Sequence, residues 1–251
     1  MKRKTVVTAA LLFITLYIPL SLFSQDFKMN GTILAFYWGN AANVTIPEGV
    51  TSIGDSAFWN CDSLTGVTIP SSVTSIGAGA FAWCGNLASV TIPSSVISIG
   101  DGAFSGCNNL TNVTLPSSVI SIGDYTFGNC QRLKRITIPE GVISIEDGVF
   151  FYCISLVSVT IPSSVTSIGK DAFYGCNSLT SADIPSSVTS IGEGAFCLCT
   201  GLTSITIPSS VTSIGNEAFA YCDNLKEVTV SRKTTIGSDA FPSSARITYS
   251  D

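Results

Sequence analysis

A period of 23 residues constrains the fold of this chain more than any other feature of its sequence. Residues 159–181 (VTIPSSVTSIGKDAFYGCNSLTS) represent the unit, and a shift of 23 residues in either direction finds it again. The proline of the unit recurs without an insertion at Pro47, Pro70, Pro93, Pro116, Pro139, Pro162, Pro185 and Pro208. A fixed period of this length is typical of a solenoid, in which each repeat contacts only its neighbours. The sequence therefore predicts a stack of similar coils.

Within one repeat, the pattern predicts two short extended segments and a turn. Residues 159–161 alternate apolar, polar and apolar, which indicates a half-buried strand. Pro162 ends that strand because it has no N–H to donate. Residues 165–168 form a second extended piece, and residues 170–176 are too short for an α-helix and favour a helical or 3₁₀ turn. The side chains expected to point inward are Val165, Ile168, Ala172, Phe173 and Cys176.

The beginning of the chain has the pattern of a secretory signal peptide over residues 1–24. Three basic residues are followed by an apolar run from Thr5 to Phe23 and by the small residue Ser24. The alternative is an uncleaved membrane anchor, since about 18–20 apolar residues can span a bilayer. Beyond it we expect an N-terminal cap (25–43), eight full repeats (44–227), and an imperfect ninth repeat with a C-terminal cap (228–251). No membrane insertion is expected after removal of the signal.

The charge of the chain argues against nucleic acid as a partner. The chain carries 12 basic and 17 acidic residues, a net charge of −5. Removal of Lys2, Arg3 and Lys4 with the signal leaves 9 basic residues, and a net charge of about −8. Nucleic-acid binding requires a basic stripe, and adsorption to anionic lipid requires a polybasic segment. The mature chain has neither.

The repeat L-x-x-V-x-I-P-x-x-V-x-x-I-G-x-x-A-F-x-x-C resembles the BspA-like leucine-rich repeats of bacterial surface proteins. The resemblance covers about residues 44–241. It implies a curved, right-handed solenoid with a parallel β-sheet on the concave face and short strands, turns or 3₁₀/helical turns on the other side. It also implies export to the medium or the cell surface and, for many members, adhesion to host proteins or other cells. Repeats of one architecture bind unrelated partners, so that function is carried over by analogy.

Cysteine forms a row of its own, from Cys61 to Cys222 in steps of 23, with Cys197 outside the row. Exported proteins often contain disulfides. However, stacked side chains that point the same way would strain a bridge between neighbouring coils. We therefore interpret the row as free thiols packed as small hydrophobic groups, and Cys197 as lying towards the surface. The chain has no histidine and no CxxC motif, so we expect no zinc site and no other metal or cofactor.

Acidic residues recur directly after the S-I-G motif, at Asp55, Asp101, Asp124, Asp147 and Glu193. Stacked carboxylates could bind calcium. They could instead cap the N–H groups of the turn that follows them. The row is interrupted by Ala78, Lys170 and Asn216, and capping tolerates such losses better than a metal site does. We predict capping.

The outward position of the first strand is a row of threonines with one break. Its members are Thr45, Thr68, Thr91, Thr114, Thr137, Thr160, Asp183, Thr206 and Thr229. Threonine suits any solvated strand face, but a regular ladder could also recognise a partner, or ice. A basic cluster (Arg132, Lys134, Arg135) lies at one strand entry and is either a contact patch or a solvated edge. The predicted partner-binding residues are Thr68, Thr91, Thr114, Thr137, Thr160, Asp183, Thr206 and Arg135.

Aromatic residues beside the phenylalanine row vary in position and type, and an exposed subset could anchor a partner. They are Trp59, Trp83, Phe151, Tyr152, Tyr174 and Tyr221. An enzyme is not expected, since histidine-based catalysis is excluded and the acids lie along a row rather than across a cleft. The sequence therefore predicts an exported binding or adhesion module for a host or neighbouring-cell surface protein or glycan. The alternatives are a scaffold without a dedicated site and, third, an ice-binding protein.

Overall fold

A computed structural model describes residues 26–250 as a stack of coils built from short parallel strands and turns. These residues contain no helix. The predicted repeat solenoid with parallel sheet is confirmed. The predicted signal peptide (1–24) lies outside the described residues.

Where a coil has a first strand, that strand carries the alternating V-T-I pattern and pairs in parallel with the equivalent strand of a neighbouring coil. Its register is one repeat, so that Thr68 aligns with Thr91 and Thr137 with Thr160. The valine or isoleucine of each strand is buried, and the flanking residues are exposed or partly exposed, as the alternation predicts. These strands are β3 (Asn43–Thr45), β5 (Gly66–Thr68), β7 (Ser89–Thr91), β9 (Asn112–Thr114), β11 (Arg135–Thr137), β13 (Ser158–Thr160), β16 (Ser204–Thr206) and β18 (Glu227–Ser231).

The second strand of each coil is a two-residue segment, S-I in all but the last coil. It pairs in parallel with its equivalents in the same 23-residue register, shortened by one residue at the last pair, and the pairing is interrupted between Ile122 and Ser144. These strands are β4 (Ser52–Ile53), β6 (Ser75–Ile76), β8 (Ser98–Ile99), β10 (Ser121–Ile122), β12 (Ser144–Ile145), β14 (Ser167–Ile168), β15 (Ser190–Ile191), β17 (Ser213–Ile214) and β19 (Thr235–Ile236). The predicted inward pair Val165 and Ile168 is buried.

The two ends of the described stack carry longer strands. At the N-terminal end, β1 (Phe27–Asn30) and β2 (Ile33–Tyr37) form an antiparallel hairpin, and β2 also pairs in parallel with β4. At the C-terminal end, β20 (Arg246–Ser250) pairs in parallel with β18 over five residues.

The third side of each coil is a turn. The sequence allowed either a turn or a short helical segment there. In residues 170–176, alternate backbone N–H groups donate to different partners. Phe173 and Gly175 donate across to Ala195 and Cys197 of the next coil, at 2.7 and 2.8 Å. Cys176 donates within its own turn to Phe173 at 3.1 Å. The segment cannot complete a helix because half of its donors already bond the neighbouring coil.

A column of phenylalanine rings fills the interior behind these turns. Consecutive rings from Phe58 to Phe241 stack with centroids 4.9–5.9 Å apart and nearly parallel planes. The eight rings from Phe58 to Phe219 are fully buried. Large buried aromatic groups that touch only the coils above and below make each coil depend on its neighbours.

Candidate functional site

The cysteine row lies in the core as free thiols, which agrees with its interpretation as small packed groups. From Cys84 to Cys222, each Sγ donates to the carbonyl oxygen of the phenylalanine 26 residues earlier, at 3.0–3.3 Å. Burial raises the pKa of the thiols of Cys107, Cys153 and Cys222 to about 12. These thiols stay protonated and serve as hydrogen-bond donors between coils.

Cys197 is an exception that the sequence analysis placed wrongly. Its side chain is buried rather than turned to the surface. It follows Phe196, and its carbonyl accepts the N–H of Gly175 from the preceding coil at 2.8 Å. Ala82 and Ala220 occupy the same position in other coils and are also buried. A small side chain directly after the row phenylalanine is therefore covered by the neighbouring turns.

The aspartates of the acidic row cap backbone N–H groups, but those N–H groups belong to the next coil and not to the aspartate's own turn. The carboxylates of Asp101, Asp124 and Asp147 accept from the backbone N–H of the residue 23 positions later, at 3.0, 3.1 and 2.7 Å. Asp55 does the same to Ala78 at 2.8 Å. The prediction of capping is confirmed, but the predicted partner is wrong. Each side chain reaches the next coil instead of the N–H groups of its own turn.

These hydrogen bonds account for the four aspartates of the row. Among residues 26–250 no group of three or more acidic, cysteine or histidine side chains is arranged to hold a metal. Where the row is interrupted at Lys170, its ammonium pairs with Glu193 at 2.8 Å on the exposed surface.

The threonine row lies on the solvated face of the first strands, and Thr68, Thr91, Thr114, Thr137, Thr160 and Thr206 are all exposed. The sheet that carries them is not continuous. It consists of β3-β5-β7-β9, then β11-β13, then β16-β18-β20. The two interruptions fall beside the residues that the sequence analysis singled out, Arg135 and Asp183.

The coil of Asp183 forms no first strand, so the ladder of first strands is interrupted between β13 and β16. A shallow depression of about 390 Å³ lies there, and it is lined by Asp183, Thr206, Ser186, Ser204 and Pro208 among others. Ala182 occupies the inward position that is valine or isoleucine in other coils. The smaller side chain fills the interior less, and the exposed Asp183 replaces a strand-favouring threonine.

At Arg135 a smaller depression of about 150 Å³ separates β9 from β11. It is lined by Thr114, Arg135 and Thr137 with the apolar residues between them. The structure therefore brings a predicted cation and two predicted threonines to one depression, and Asp183 and Thr206 to another. Thr68 and Thr91 lie on the uninterrupted part of the sheet.

A column of exposed isoleucines was missed by the sequence analysis. Ile97, Ile120 and Ile143 precede the S-I strands of three consecutive coils, and their side chains are 47%, 55% and 65% exposed. Other coils have threonine there, as at Thr74 and Thr166. The substitution of threonine by isoleucine at an outward position was the signal that could have revealed this apolar column.

The aromatic residues beside the phenylalanine column lie on the turn side of the coils. Tyr125, Phe151, Tyr152 and Tyr174 form a cluster with ring centroids 4.8–5.8 Å apart. Trp59, Trp83 and Tyr221 are at least half exposed. The expectation of an exposed aromatic subset is thus met, on a different surface from the threonine row.

Comparison with known proteins now identifies the repeat. The pattern of the BspA type leucine-rich repeat region matches residues 33–153 and 120–248, with six copies. The chain belongs to this family. The BspA-type repeat accounts for the I-P, S-I-G, A-F and C positions that build the strands, turns and core described above. None of the curated proteins matches the chain.

The solved structures similar to this BspA-type chain include two that are about one third identical to it. One is a leucine-rich cell surface protein from Faecalibacterium prausnitzii A2-165, with 33% identity and a TM-score of 0.69, covering 88% of this chain and 73% of that one. The other is a leucine-rich repeat protein from T. pallidum, with 34% identity and a TM-score of 0.65, covering 68% of this chain and 82% of that one. No helix in residues 26–250 is long and apolar enough to cross a membrane.

Proposed function

We propose that this BspA-type chain is a secreted or cell-surface binding module that attaches to a protein on a host or neighbouring cell. The depression at Asp183 carries the proposal. At this place the otherwise uniform threonine face has a concave shape and a negatively charged side chain. A surface can bind one partner more tightly than another only if its shape or charge varies from place to place.

Family membership supports a non-enzymatic binding role of this kind, and the surface location given for the F. prausnitzii relative supports the location. The contact would run along the threonine face from the depression at Arg135 to that at Asp183.

The test is a binding screen of the chain, expressed for export, against immobilised extracellular-matrix proteins and intact cells. We expect saturable binding to one protein class that Asp183→Thr, which restores the ladder, weakens about tenfold. Thr45→Ser, on the uninterrupted part of the sheet and outside the predicted partner-binding residues, is the matched control and should bind like the wild type.

Absence of saturable binding across the panel would overturn the proposal in favour of a scaffold, which the near identity of the coils favours. Binding that is equally strong in Asp183→Thr and Arg135→Ser would place the contact elsewhere on the solenoid. Thermal hysteresis lost in a multiple threonine variant would support ice binding instead.

A further inference from the structure

Two positions in each of the eight repeats have a left-handed backbone, and at the second of them three coils carry a large aromatic ring. This second position is the residue before the row cysteine. Its φ is positive in all eight repeats, between 53° and 74°. Gly106 and Gly175 suit such a φ, and Asn60 and Asn129 tolerate it. Trp83, Tyr152 and Tyr221 do not, because their bulky side chains make the conformation costly.

The three rings are evenly spaced. Tyr152 follows Trp83 by 69 residues and Tyr221 follows Tyr152 by 69, which is three repeats in each case. With coils about 5 Å apart, neighbouring rings are separated by about 15 Å along the solenoid. The intervening coils carry the two glycines, Asn129 and Leu198 at this position.

Each of the first two rings lies over a glycine of the next coil. A Cβ added to Gly106 would come within 2.6 Å of the Trp83 ring, and one added to Gly175 within 2.9 Å of the Tyr152 ring. One side of the Trp83 ring and one side of the Tyr152 ring are therefore packed on the backbone of the next coil. The side chains remain 50% exposed at Trp83, 37% at Tyr152 and 62% at Tyr221. Rigid, half-covered rings are anchors that lose little conformational entropy on binding.

Glycine or asparagine would satisfy the backbone at these strained positions, yet each carries an aromatic ring that remains more than a third exposed. Strained residues that a fold retains mark candidate functional positions. We propose that Trp83, Tyr152 and Tyr221 form an aromatic ladder that binds an extended, neutral polysaccharide.

Three observations favour this partner. Equal intervals between like rings fit a ligand that itself repeats, which a globular protein surface does not. The face of an aromatic ring is negatively polarised and attracts the C–H groups of a flat sugar ring. The chain is acidic overall, and the residues after the row cysteine include the amides Asn108, Gln131 and Asn177, which can hydrogen-bond hydroxyl groups. An anionic polymer would be repelled.

This surface is separate from the threonine face of the proposed function, and either proposal can fail alone. The test uses the full chain, expressed for export, in affinity electrophoresis with soluble neutral polysaccharides (laminarin, amylose, xylan and hydroxyethyl cellulose). Heparin serves as the anionic comparison. We expect retardation by at least one neutral polymer and none by heparin.

The variants Trp83→Asn, Tyr152→Asn and Tyr221→Asn remove the rings and keep a residue that the backbone tolerates. Each should weaken binding about three- to tenfold, and the triple variant should abolish retardation. Leu198→Asn is the matched control, because it relieves the same backbone strain at the same position without removing a ring. It should bind like the wild type, as should Tyr152→Phe. Oligosaccharides long enough to bridge two rings should bind more tightly than shorter ones.

The proposal is overturned if no neutral polymer retards the chain, or if the folded triple variant is retarded like the wild type. Retention of a proline-rich peptide, but of no polysaccharide, would overturn it in favour of a peptide groove. If the triple variant does not fold, titration of the wild type with oligosaccharide decides the question. Perturbed tryptophan and tyrosine absorbance supports the ladder, and an unchanged spectrum refutes it.

Discussion

The Sγ of Cys84 donates a hydrogen bond to the carbonyl oxygen of Phe58, 26 residues earlier, at 3.0 Å. The same pairing recurs up to Cys222 and Phe196 at 3.1 Å. A cysteine of one coil therefore satisfies a buried backbone oxygen of the coil before it. The thiol combines a small apolar volume with a hydrogen-bond donor, which an alanine at the same position would lack.

Cys61 differs from the other row members and should be the one reactive thiol of the folded chain. It is half-buried, and its interaction with the neighbouring Cys84 side chain lowers the pKa of Cys61. The thiolate is the nucleophile, and the buried thiols remain protonated at neutral pH. We expect iodoacetamide at pH 8 to modify a single site, as counted by intact mass. Cys61→Ser should abolish this modification, and early labelling of Cys153 would contradict the assignment.

Gly192 and Gly85 should respond in opposite ways to alanine. A Cβ on Gly192 would lie 2.6 Å from the backbone of Gly169 and of Lys170 in the preceding coil, whereas one on Gly85 would meet nothing within 4 Å. We expect Gly192→Ala to lower the free energy of unfolding by about 1–3 kcal/mol because backbone cannot move aside. Gly85→Ala should be neutral or raise it by up to about 1 kcal/mol. Urea unfolding midpoints measure both, and equal midpoints would refute the close approach of the coils.

Asp147→Ala should cost about 1–2 kcal/mol of stability, because it removes the acceptor for the Lys170 N–H at 2.7 Å. Asp147→Asn should be close to neutral, since Asn216 accepts from the Ser238 N–H at 2.9 Å in the equivalent position. Thermal melting with and without added calcium separates capping from metal binding. A calcium-dependent rise in Tm that both variants lose would support a metal site.

Asp171→Asn should stabilise the chain at neutral pH. Burial raises the pKa of Asp171, with Glu193 and Asp147 adding to the rise and Lys170 opposing it. A carboxyl whose folded-state pKa is raised destabilises the fold above that pKa, and this penalty disappears as the pH falls below the unfolded value. The gain in Tm from Asp171→Asn should therefore be present at pH 7 and absent at about pH 3. A gain of equal size at both pH values would show that the charge of Asp171 is not the cause.

The sequence by itself determined the repeat architecture, because period and polarity are local properties of each unit. The recurrence of Pro162 and its equivalents set the coil length, and the alternation around Thr160 set which side chains point inward. Phe173, Ala172 and Cys176 are buried as the pattern of one repeat predicts. The family resemblance carried by the same positions is confirmed by the BspA-type match.

The contacts between neighbouring coils are evident only in the tertiary structure. The partner of Asp147 is the N–H of Lys170 and not its own turn, and Cys197 is buried by neighbouring turns. The interruption of the sheet at Asp183 and the positive φ of Trp83 are likewise absent from the pattern. A repeat pattern records the polarity of each position, whereas these contacts depend on the distance and register between coils, which form only when the chain has stacked.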